Sequence, residues 1–250
     1  MRNFMSNHRK MKYVIILVVV LGFSKVNAQK IKFKDSNLKK ALIELGYDRN
    51  KNSEIEIGEI DTVQVLKVSK RHIKSLEDMV HFKSLKTLNV MTNDITSISV
   101  FDGNATIDEL YIGENKLGPK LTFKNMPNIT GIYAFRNEIK EFEFIGEFAK
   151  MKSFYIQGNP VENLYLQNLP NLQSLQLFEC DNLKTINFAK QTKLKQFFLL
   201  DMKAVNVVIK NDIRTVYLEK TSDPKNSPRV DSIKTAPVIK VKEGTIIISD

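Results

Sequence analysis

Cysteine and histidine are scarce in this sequence. Cys180 is the only cysteine, and the histidines are His8, His72 and His81. One cysteine excludes an internal disulfide and leaves no thiol near residue 28 to carry a lipid. The sequence also has no His/Cys cluster with metal-ligand spacing, no nucleophile–base arrangement and no phosphate-cradling glycine loop. We therefore expect a protein that is not an enzyme.

The basic residues form no stripe. The chain has 38 Lys and Arg against 28 Asp and Glu, but five of the basic residues and none of the acidic ones lie in residues 1–28. Residues 29–250 therefore carry 33 basic and 28 acidic side chains, a net charge of +5. Their signs alternate along the chain, which is typical of a solvated surface. Because nucleic-acid recognition needs clustered basic side chains, we expect no nucleic-acid partner.

Residues 1–28 have the pattern of a secretory signal. A basic start is followed by an apolar run over residues 13–23, and small Ala28 precedes a cut at Gln29. The run is shorter than the ~20 residues that span a bilayer, so an uncleaved anchor is the weaker alternative. The segment predicts export to the periplasm, the cell surface or the medium, with no stable membrane span after cleavage.

One apolar phrase recurs with a period of about 22 residues. Each copy reads apolar-x-x-apolar-x-apolar-x-x-Asn-x-apolar, as in LKTLNVMTNDI at residues 85–95. Repetition at a short fixed period predicts a stacked solenoid, because one unit cannot bury its apolar face alone. About eight copies span residues 63–221, and they begin at Val63, Leu85, Ile107, Ile129, Met151, Leu172, Leu194 and, in a shorter unit, Ile213.

The phrase predicts which side chains are buried. Phrase positions 1, 4, 6 and 11 should point into the core, and the positions between them should alternate outward along a strand. Stacked strands make one parallel sheet, and the bulkier return segments, where Pro127 and Pro170 favour turns or short 3₁₀ pieces, bend it. The predicted fold class is an α/β solenoid, a curved horseshoe with a concave parallel sheet.

Position 9 is predicted to form a buried ladder. An asparagine amide both donates and accepts, so a stack of them can satisfy backbone groups where each strand turns away. The ladder residues are Asn93, Asn115, Asn137 and Asn159. Cys180 takes the same position in the next repeat, and we expect it to be structural, because no histidine lies near it in the repeat order to activate a nucleophile.

The two ends of the solenoid are predicted to be capped. In residues 29–62 the apolar residues recur at helical spacing, with Asp35 and Ser36 as candidate N-caps and Gly46 as a stop. Residues 222–250 begin with a polar, proline-containing segment and end in two apolar runs, 238–241 and 245–249, around Lys-Glu-Gly. These runs predict a β-hairpin that covers the last repeat.

The phrase L-x-x-L-x-L-x-x-N/C-x-L resembles the leucine-rich repeat family. The resemblance covers residues 63–220, and the repeat length and the preceding helical segment are similar to those of secreted bacterial internalin-like proteins and of Bacteroidetes surface proteins. It implies a binding protein rather than an enzyme. The sequence departs from the internalins in having no C-terminal wall-sorting motif and no terminal membrane span.

The concave sheet face is the first candidate site. Phrase position 5 places tyrosines in one outward column, and position 7 adds further apolar side chains. Large exposed apolar surfaces usually mark interaction sites, and tyrosine is a rigid anchor with a polar tip. The candidate residues are Tyr111, Tyr133, Phe135, Tyr155, Phe178, Phe198, Leu200 and Tyr217, with Glu109, Glu114, Arg136, Glu179, Asp201 and Glu219 as a mixed-charge rim.

Two interpretations of the aromatic column remain open. Neighbouring rings on adjacent strands stabilise each other by roughly 0.2–1 kcal/mol per pair, so the column is also explained as a structural ladder. As a binding surface with a mixed-charge rim it suits a protein or peptide, although a glycan also stacks on aromatic rings. We expect a monomeric, exported protein-binding module. The alternatives are a structural or self-assembling envelope protein and a glycan-binding adhesin.

The second candidate site is the loop at residues 48–59. It resembles a calcium-binding EF-hand loop, with oxygen-bearing side chains at loop positions 1, 3 and 5 and a glutamate at position 12. Ser53 stands where the motif has glycine, and Arg49 and Lys51 add positive charge, so the alternatives are weak calcium binding and a metal-free polar turn. No other cofactor is expected. The candidate ligands are Asp48, Asn50, Asn52, Glu54 (through its carbonyl) and Glu59.

Overall fold

The computed structural model describes residues 29–183 and, beyond them, residues 185–187, 193–194, 196–199, 206–208, 216–218, 239–242 and 245–248. The predicted signal segment, residues 1–28, lies outside the described residues and stays a prediction. In the described part of the chain, no helix combines the length and the apolar character needed to cross a membrane.

The predicted N-terminal helix is present as α1, Ser36–Glu44. Asp35 is its N-cap, and the Asp35 carboxylate accepts hydrogen bonds from the backbone N–H of Asn37 (2.9 Å) and Leu38 (3.0 Å). Such caps satisfy N–H groups that have no partner within the helix. The chain leaves the helix through Gly46, whose φ of +82° is readily adopted only by glycine.

A short second helix connects α1 to the repeats. This helix, α2, spans Ile57–Ile60, and Glu56 and Glu59 form a capping box at its start. The preceding residues form an antiparallel bridge between Lys30 and Glu56. The buried side chains of α1, which are Leu38, Ala41 and Leu42, belong to the same apolar cluster as the repeats. The N-terminal segment is therefore continuous with the solenoid core.

The repeats form one parallel sheet of eight strands, in the order β1-β2-β3-β5-β7-β9-β11-β13. These strands are β1 Val65–Lys67, β2 Thr87–Asn89, β3 Glu109–Tyr111, β5 Gly131–Tyr133, β7 Ser153–Tyr155, β9 Ser174–Gln176, β11 Gln196–Leu199 and β13 Val216–Leu218. Each strand covers phrase positions near 3 to 5 and pairs with the same positions of the next repeat. The predicted solenoid with a parallel sheet is confirmed.

The return segments change character along the chain. The first two contain 3₁₀ helices, Glu77–His81 and Ser99–Phe101. The following ones form parallel strands instead: β4 Lys120–Lys124, β6 Glu141–Ile145 and β8 Asn163–Leu164 make one small sheet, and β10 Thr185–Asn187 pairs with β12 Asn206–Val208. Pro127 and Pro170 lie in turns, as predicted. The return strands were not predicted from the sequence.

The phrase positions predict the core correctly. In the repeat that begins at residue 85, Leu85, Leu88, Val90 and Ile95 are all at most 1% exposed. The return strands add a second apolar layer, in which Phe123 stacks on Phe144 with ring centroids 5.3 Å apart. The core is therefore filled by inward-facing side chains of the large sheet on one side and of the return strands on the other.

The asparagine ladder forms as predicted. Asn137 is buried, and its carbonyl oxygen accepts from the backbone N–H of Asn115 and Leu117, both at 3.2 Å. Its amide nitrogen donates to the carbonyls of Ile112, Ala134 and Phe135 at 3.0–3.2 Å. The other ladder asparagines, Asn93, Asn115 and Asn159, make equivalent bonds one repeat apart.

The C-terminal hairpin pattern is present in the backbone. Strands β14, Ile239–Lys242, and β15, Thr245–Ile248, pair antiparallel, and β15 lies close to β13, the last strand of the large sheet. The function of this hairpin as a cap stays a prediction.

Candidate functional site

The concave sheet brings the predicted column together. Parallel register pairs Asn89 with Tyr111, Tyr111 with Tyr133, and Tyr133 with Tyr155. The same register continues through Gln176 to Phe198 and Tyr217 in the last two strands. Position 5 of every repeat therefore lies in one line across the sheet.

The three central tyrosine rings are in contact. Tyr111 and Tyr133 are stacked, with centroids 4.2 Å apart and planes 4° apart. Tyr155 meets Tyr133 edge to face at 5.1 Å and 87°. All three side chains are half-buried. The rings thus stabilise one another as the ladder interpretation predicts, and they still present part of their surface to solvent.

Two glycines of the concave face make room for aromatic rings. A Cβ atom on Gly113 would lie 2.8–2.9 Å from three ring atoms of Phe135, and one on Gly131 would lie 3.0 Å from the ring and hydroxyl of Tyr133. The contacts at Gly113 are shorter than real Cβ contacts, and those at Gly131 are unusually tight, so both rings occupy space that a side chain at the glycine would need. Sequence reasoning missed both glycines, although their outward phrase positions, 7 and 3, could have indicated them.

The tyrosine hydroxyls are held in polar contacts. The Tyr111 hydroxyl donates to Glu109 Oε2 at 3.2 Å, and Ser174 Oγ donates to the Tyr155 hydroxyl at 3.3 Å. Burial, reinforced by neighbouring Tyr133 and Glu109, raises the pKa of Tyr111, and burial also raises the pKa of Tyr133. Both phenols are therefore neutral at physiological pH. The single hydroxyl proton of Tyr111 is already donated to Glu109, so the Tyr111 hydroxyl can meet a partner only as an acceptor.

The rim carries paired and free charges. Glu114 accepts a hydrogen bond from the hydroxyl of Thr92 at 2.7 Å, and its other oxygen lies 3.5 Å from Arg136 Nη1. Glu179, one rim position further along, is exposed. The described rim is therefore polar and of mixed sign.

The remaining predicted partner-binding residues fall into two groups. Phe135 and Phe178 are half-buried in the line of position 7. The backbone of Phe198 and Tyr217 lies in β11 and β13, but their side chains, together with Leu200, Asp201 and Glu219, lie outside the described residues. The site is therefore defined by its central repeats.

Gln157 was also missed by sequence reasoning. It occupies position 7 between Phe135 and Phe178. Its side-chain oxygen, Oε1, is buried and has no hydrogen-bond partner among the described residues. An unpaired buried polar atom costs about 1–3 kcal/mol. A polar residue in an aromatic line is the sequence signal that could have identified it.

The loop at residues 48–59 is held together by its own side chains. The Asp48 carboxylate accepts from the backbone N–H of Asn52 (3.1 Å) and Ser53 (2.8 Å). Glu59 accepts from the N–H of Arg49 at 2.8 Å and of Glu56 at 3.0 Å. The predicted ligand oxygens of these two residues are therefore already bonded to the chain.

The other three predicted ligands have protein partners too. The side-chain oxygens of Asn50 and Asn52 accept from the backbone N–H of Asn52 (3.0 Å) and Glu54 (2.8 Å). Glu54, whose carbonyl is the predicted ligand, pairs its carboxylate with Lys39 at 2.9 Å. Within the described ranges, no group of three or more His, Cys, Asp or Glu side chains is placed to share a metal ion. Calcium binding by this loop stays a prediction.

The Glu59 carboxylate favours its charged form. Burial raises its pKa, but the hydrogen bonds from Glu56, Arg49 and Asn50 lower it more, so the net shift of the pKa is downward. Hydrogen bonds to a carboxylate stabilise the ionised state. Glu59 therefore stabilises the loop at neutral pH.

Cys180 occupies the ladder position that the repeat predicts. It is fully buried, and its Sγ lies 3.6 Å from the carbonyl oxygen of Ile156. Burial raises the pKa of its thiol to about 12. The thiolate is the nucleophilic form of cysteine, so Cys180 has the environment of a structural residue.

No protein-family model and no curated protein matches the sequence. Solved structures do match. An internalin of Listeria monocytogenes, InlF, has a TM-score of 0.52 and 18% identity, over 72% of this chain and 64% of that one. The functional domain of InlJ from the same organism, which includes a cysteine ladder, has a TM-score of 0.57 and 15% identity, over 79% of this chain and 45% of that one.

This chain thus spans less than two thirds of either internalin structure. At such low identity the likeness concerns the backbone arrangement, in which a concave parallel sheet is built from repeats of the observed phrase. The chain has the leucine-rich repeat fold of the internalins.

Proposed function

We propose that this chain is an exported, non-enzymatic protein-binding module. Its binding site is the aromatic surface, defined as Tyr111, Tyr133, Phe135, Tyr155 and Phe178, with Phe198, Leu200 and Tyr217 continuing it by sequence. The observation that carries the proposal is the contact of three tyrosine rings in one outward column of the concave sheet. The internalin-like fold supports a binding role by analogy.

The core does not require these rings. Leu110, Ile132 and Phe154, the inward neighbours on the same strands, fill the interior and are fully buried. The tyrosines face the other way, where a small polar residue would leave the fold intact and the surface more soluble. Half-buried rings that keep a neutral hydroxyl are the residue type found at the energetic centres of protein interfaces.

The ring geometry favours a protein over a glycan. Sugars bind tyrosine by lying on the flat face of the ring, but Tyr111 and Tyr133 each cover one face of the other at 4.2 Å, and Tyr133 also meets Tyr155 edge to face at 5.1 Å. The ring edges and hydroxyls are what the stack offers to a ligand. Edges and hydroxyls suit the side chains and backbone amides of a protein or peptide segment.

Export is part of the proposal and depends on residues 1–28, whose basic start and short apolar run are the features of a secretory signal. A molecule outside the cytoplasm that carries a rigid concave surface is suited to recognise other envelope or extracellular proteins.

The test is a capture experiment with residues 29–250 against envelope and extracellular protein fractions. Tyr133→Ala with Tyr155→Ala should abolish capture of the partner, while the far-UV spectrum and the melting temperature change little. The matched control is Tyr165→Ala, which removes a tyrosine that is 53% exposed just beyond β8 and should leave capture intact. Capture that survives the double change, or that Tyr165→Ala weakens equally, would refute this site.

Self-assembly is tested separately by size-exclusion chromatography with light scattering. We expect a monomer at all concentrations, because the proposal assigns the aromatic surface to a different protein and not to a second copy of this chain. A concentration-dependent dimer that Tyr133→Ala disrupts would instead support the structural, self-assembling role.

A further inference from the structure

A basic pocket lies between α1 and the loop that follows β1. Its volume is about 220 Å³. One wall is a single face of α1, where Asn37, Lys40 and Glu44 follow the spacing of successive helix turns, and the other wall is Lys70, Arg71 and His72. These residues have no place in the aromatic surface, and neither the repeat pattern nor the helix requires their charges.

The pocket lies where the first repeat departs from the ladder. Phrase position 9 is Arg71 in that repeat, whereas the next four repeats have asparagine. The backbone N–H of Arg71 and of Ile73 still bond to Asn93 Oδ1 at 3.0 Å, but the side chain of Arg71 lines the pocket and pairs with Glu44. A departure from the repeat that exposes a charged side chain beside a cavity is the kind of local exception found at functional sites.

Both walls are fixed by hydrogen bonds. The Asn37 side-chain amide donates to the backbone carbonyl of His72 at 2.8 Å, which joins the helix to the loop. Arg71 also forms an ion pair with Glu44 through one of its terminal nitrogens. The helix and the loop are therefore joined by the Asn37 bond, and Arg71 is paired with Glu44 across the cavity.

The charge of the pocket is positive. The lining has three basic residues, Lys40, Lys70 and Arg71, and one carboxylate, Glu44. Glu44 is shared between Arg71, with which it forms an ion pair, and Lys40, whose Nζ lies 3.9 Å from it. Within the described residues no acidic side chain pairs with Lys70. His72 lies at the rim, with Nδ1 3.4 Å from Asp94. At neutral pH the lysines and the arginine exceed the lining acid by two charges.

We propose that this pocket binds the phosphate or sulfate group of a ligand. Arginine presents several N–H donors in a planar fork that matches an oxyanion, and the lysines add charge from two sides. Pockets for whole drug-sized ligands measure roughly 300–1,000 Å³. A cavity of about 220 Å³ instead has room for an anionic group, with the rest of the ligand outside. The Glu44 carboxylate competes with the bound anion for Arg71.

The experiment is an NMR titration of residues 29–250 with inorganic phosphate and, separately, sulfate, at ionic strength held constant with sodium chloride. Saturable shifts should appear at the amides of residues 70–72 and 37–44. Arg71→Gln should weaken binding about tenfold or more, since it removes a charge-assisted hydrogen bond. Lys83→Gln, at an exposed lysine outside the pocket, is the control and should change nothing.

Glu44→Gln gives the decisive second variant, because it removes the competing charge and should tighten binding several-fold without removing any donor. A merely structural Arg71–Glu44 pair would not produce this gain. A sugar phosphate added as a third probe separates the sources: equal affinity assigns the pocket to free anions, and higher affinity assigns it to an esterified ligand. Linear, unsaturable shifts, or weaker binding by Glu44→Gln, would overturn the proposal.

Discussion

Replacing Asn137 with alanine should destabilise the protein by about 2–6 kcal/mol. The side chain is the acceptor for the backbone N–H of Asn115 and Leu117, and no other acceptor serves these two amides in the described chain. Each orphaned buried amide costs about 1–3 kcal/mol. The three carbonyls that lose a donor contribute less, because those of Ile112 and Ala134 keep a bond from a neighbouring ladder asparagine.

The assay is urea denaturation of residues 29–250 followed by far-UV circular dichroism. The matched control is Asn163→Ala in β8, whose side chain is exposed, and it should change the free energy of unfolding by no more than about 0.5 kcal/mol. A loss of that small size for Asn137→Ala as well would refute the reasoning that the ladder satisfies the backbone at the strand ends.

Three further results are expected. Gly113→Ala should cost about 1 kcal/mol, since the new Cβ meets the Phe135 ring at 2.8 Å, and most of this cost should vanish in a double variant with Phe135→Leu; a cost that persists would show that the ring is not the obstacle. Cys180 should react with Ellman's reagent only as the protein unfolds, because its thiol pKa is about 12; rapid labelling of the native protein would contradict its buried placement. Because the pKa of Glu59 is lowered in the folded protein, its contribution to the free energy of unfolding is complete above the ordinary carboxyl pKa and is lost as pH falls through the folded-state pKa. Glu59→Gln should therefore flatten the dependence of stability on pH below about pH 5. An unchanged pH dependence would oppose this.

Calcium binding at the 48–59 loop is tested by calorimetry. If the loop binds calcium, titration gives a heat of binding that Asp48→Ala and Glu59→Ala each remove, because each variant deletes a carboxylate of the loop. Heat that survives both changes would exclude this loop as the site.

The repeat phrase was sufficient to predict the large sheet. Strands such as Thr87–Asn89 fall where the phrase places them, and Asn93 forms the bonds expected of position 9. The prediction succeeds because each repeat supplies the same few inward side chains, so the regular repeats show where the strand of an irregular repeat must lie. The repeat therefore predicts both the buried side chains and the asparagine ladder.

The return segments were harder to predict. Leu121 and Phe123, and Phe142 and Phe144, alternate with polar residues and form the buried side of β4 and β6, whereas the first two repeats use 3₁₀ helices at the same place. This alternation spans only a few residues, and short apolar runs are ambiguous by period alone. The strands form because neighbouring repeats pair with them, which is a tertiary effect.

The candidate site was predicted in outline but not in detail. The column follows from phrase position 5, and its ring contacts follow from the register. The glycines under the rings and the pocket at Arg71 depend on how side chains of different repeats meet. A single sequence does not contain those distances.

The most direct test of the aromatic surface is site-specific photocrosslinking. A benzoylphenylalanine at position 133, in residues 29–250 mixed with the captured partner, should form a covalent adduct on irradiation, since Tyr133 is central to the proposed contact. Benzoylphenylalanine at position 165, just beyond β8, should form none. An adduct at 165 and its absence at 133 would contradict the assignment of the concave face as the recognition site.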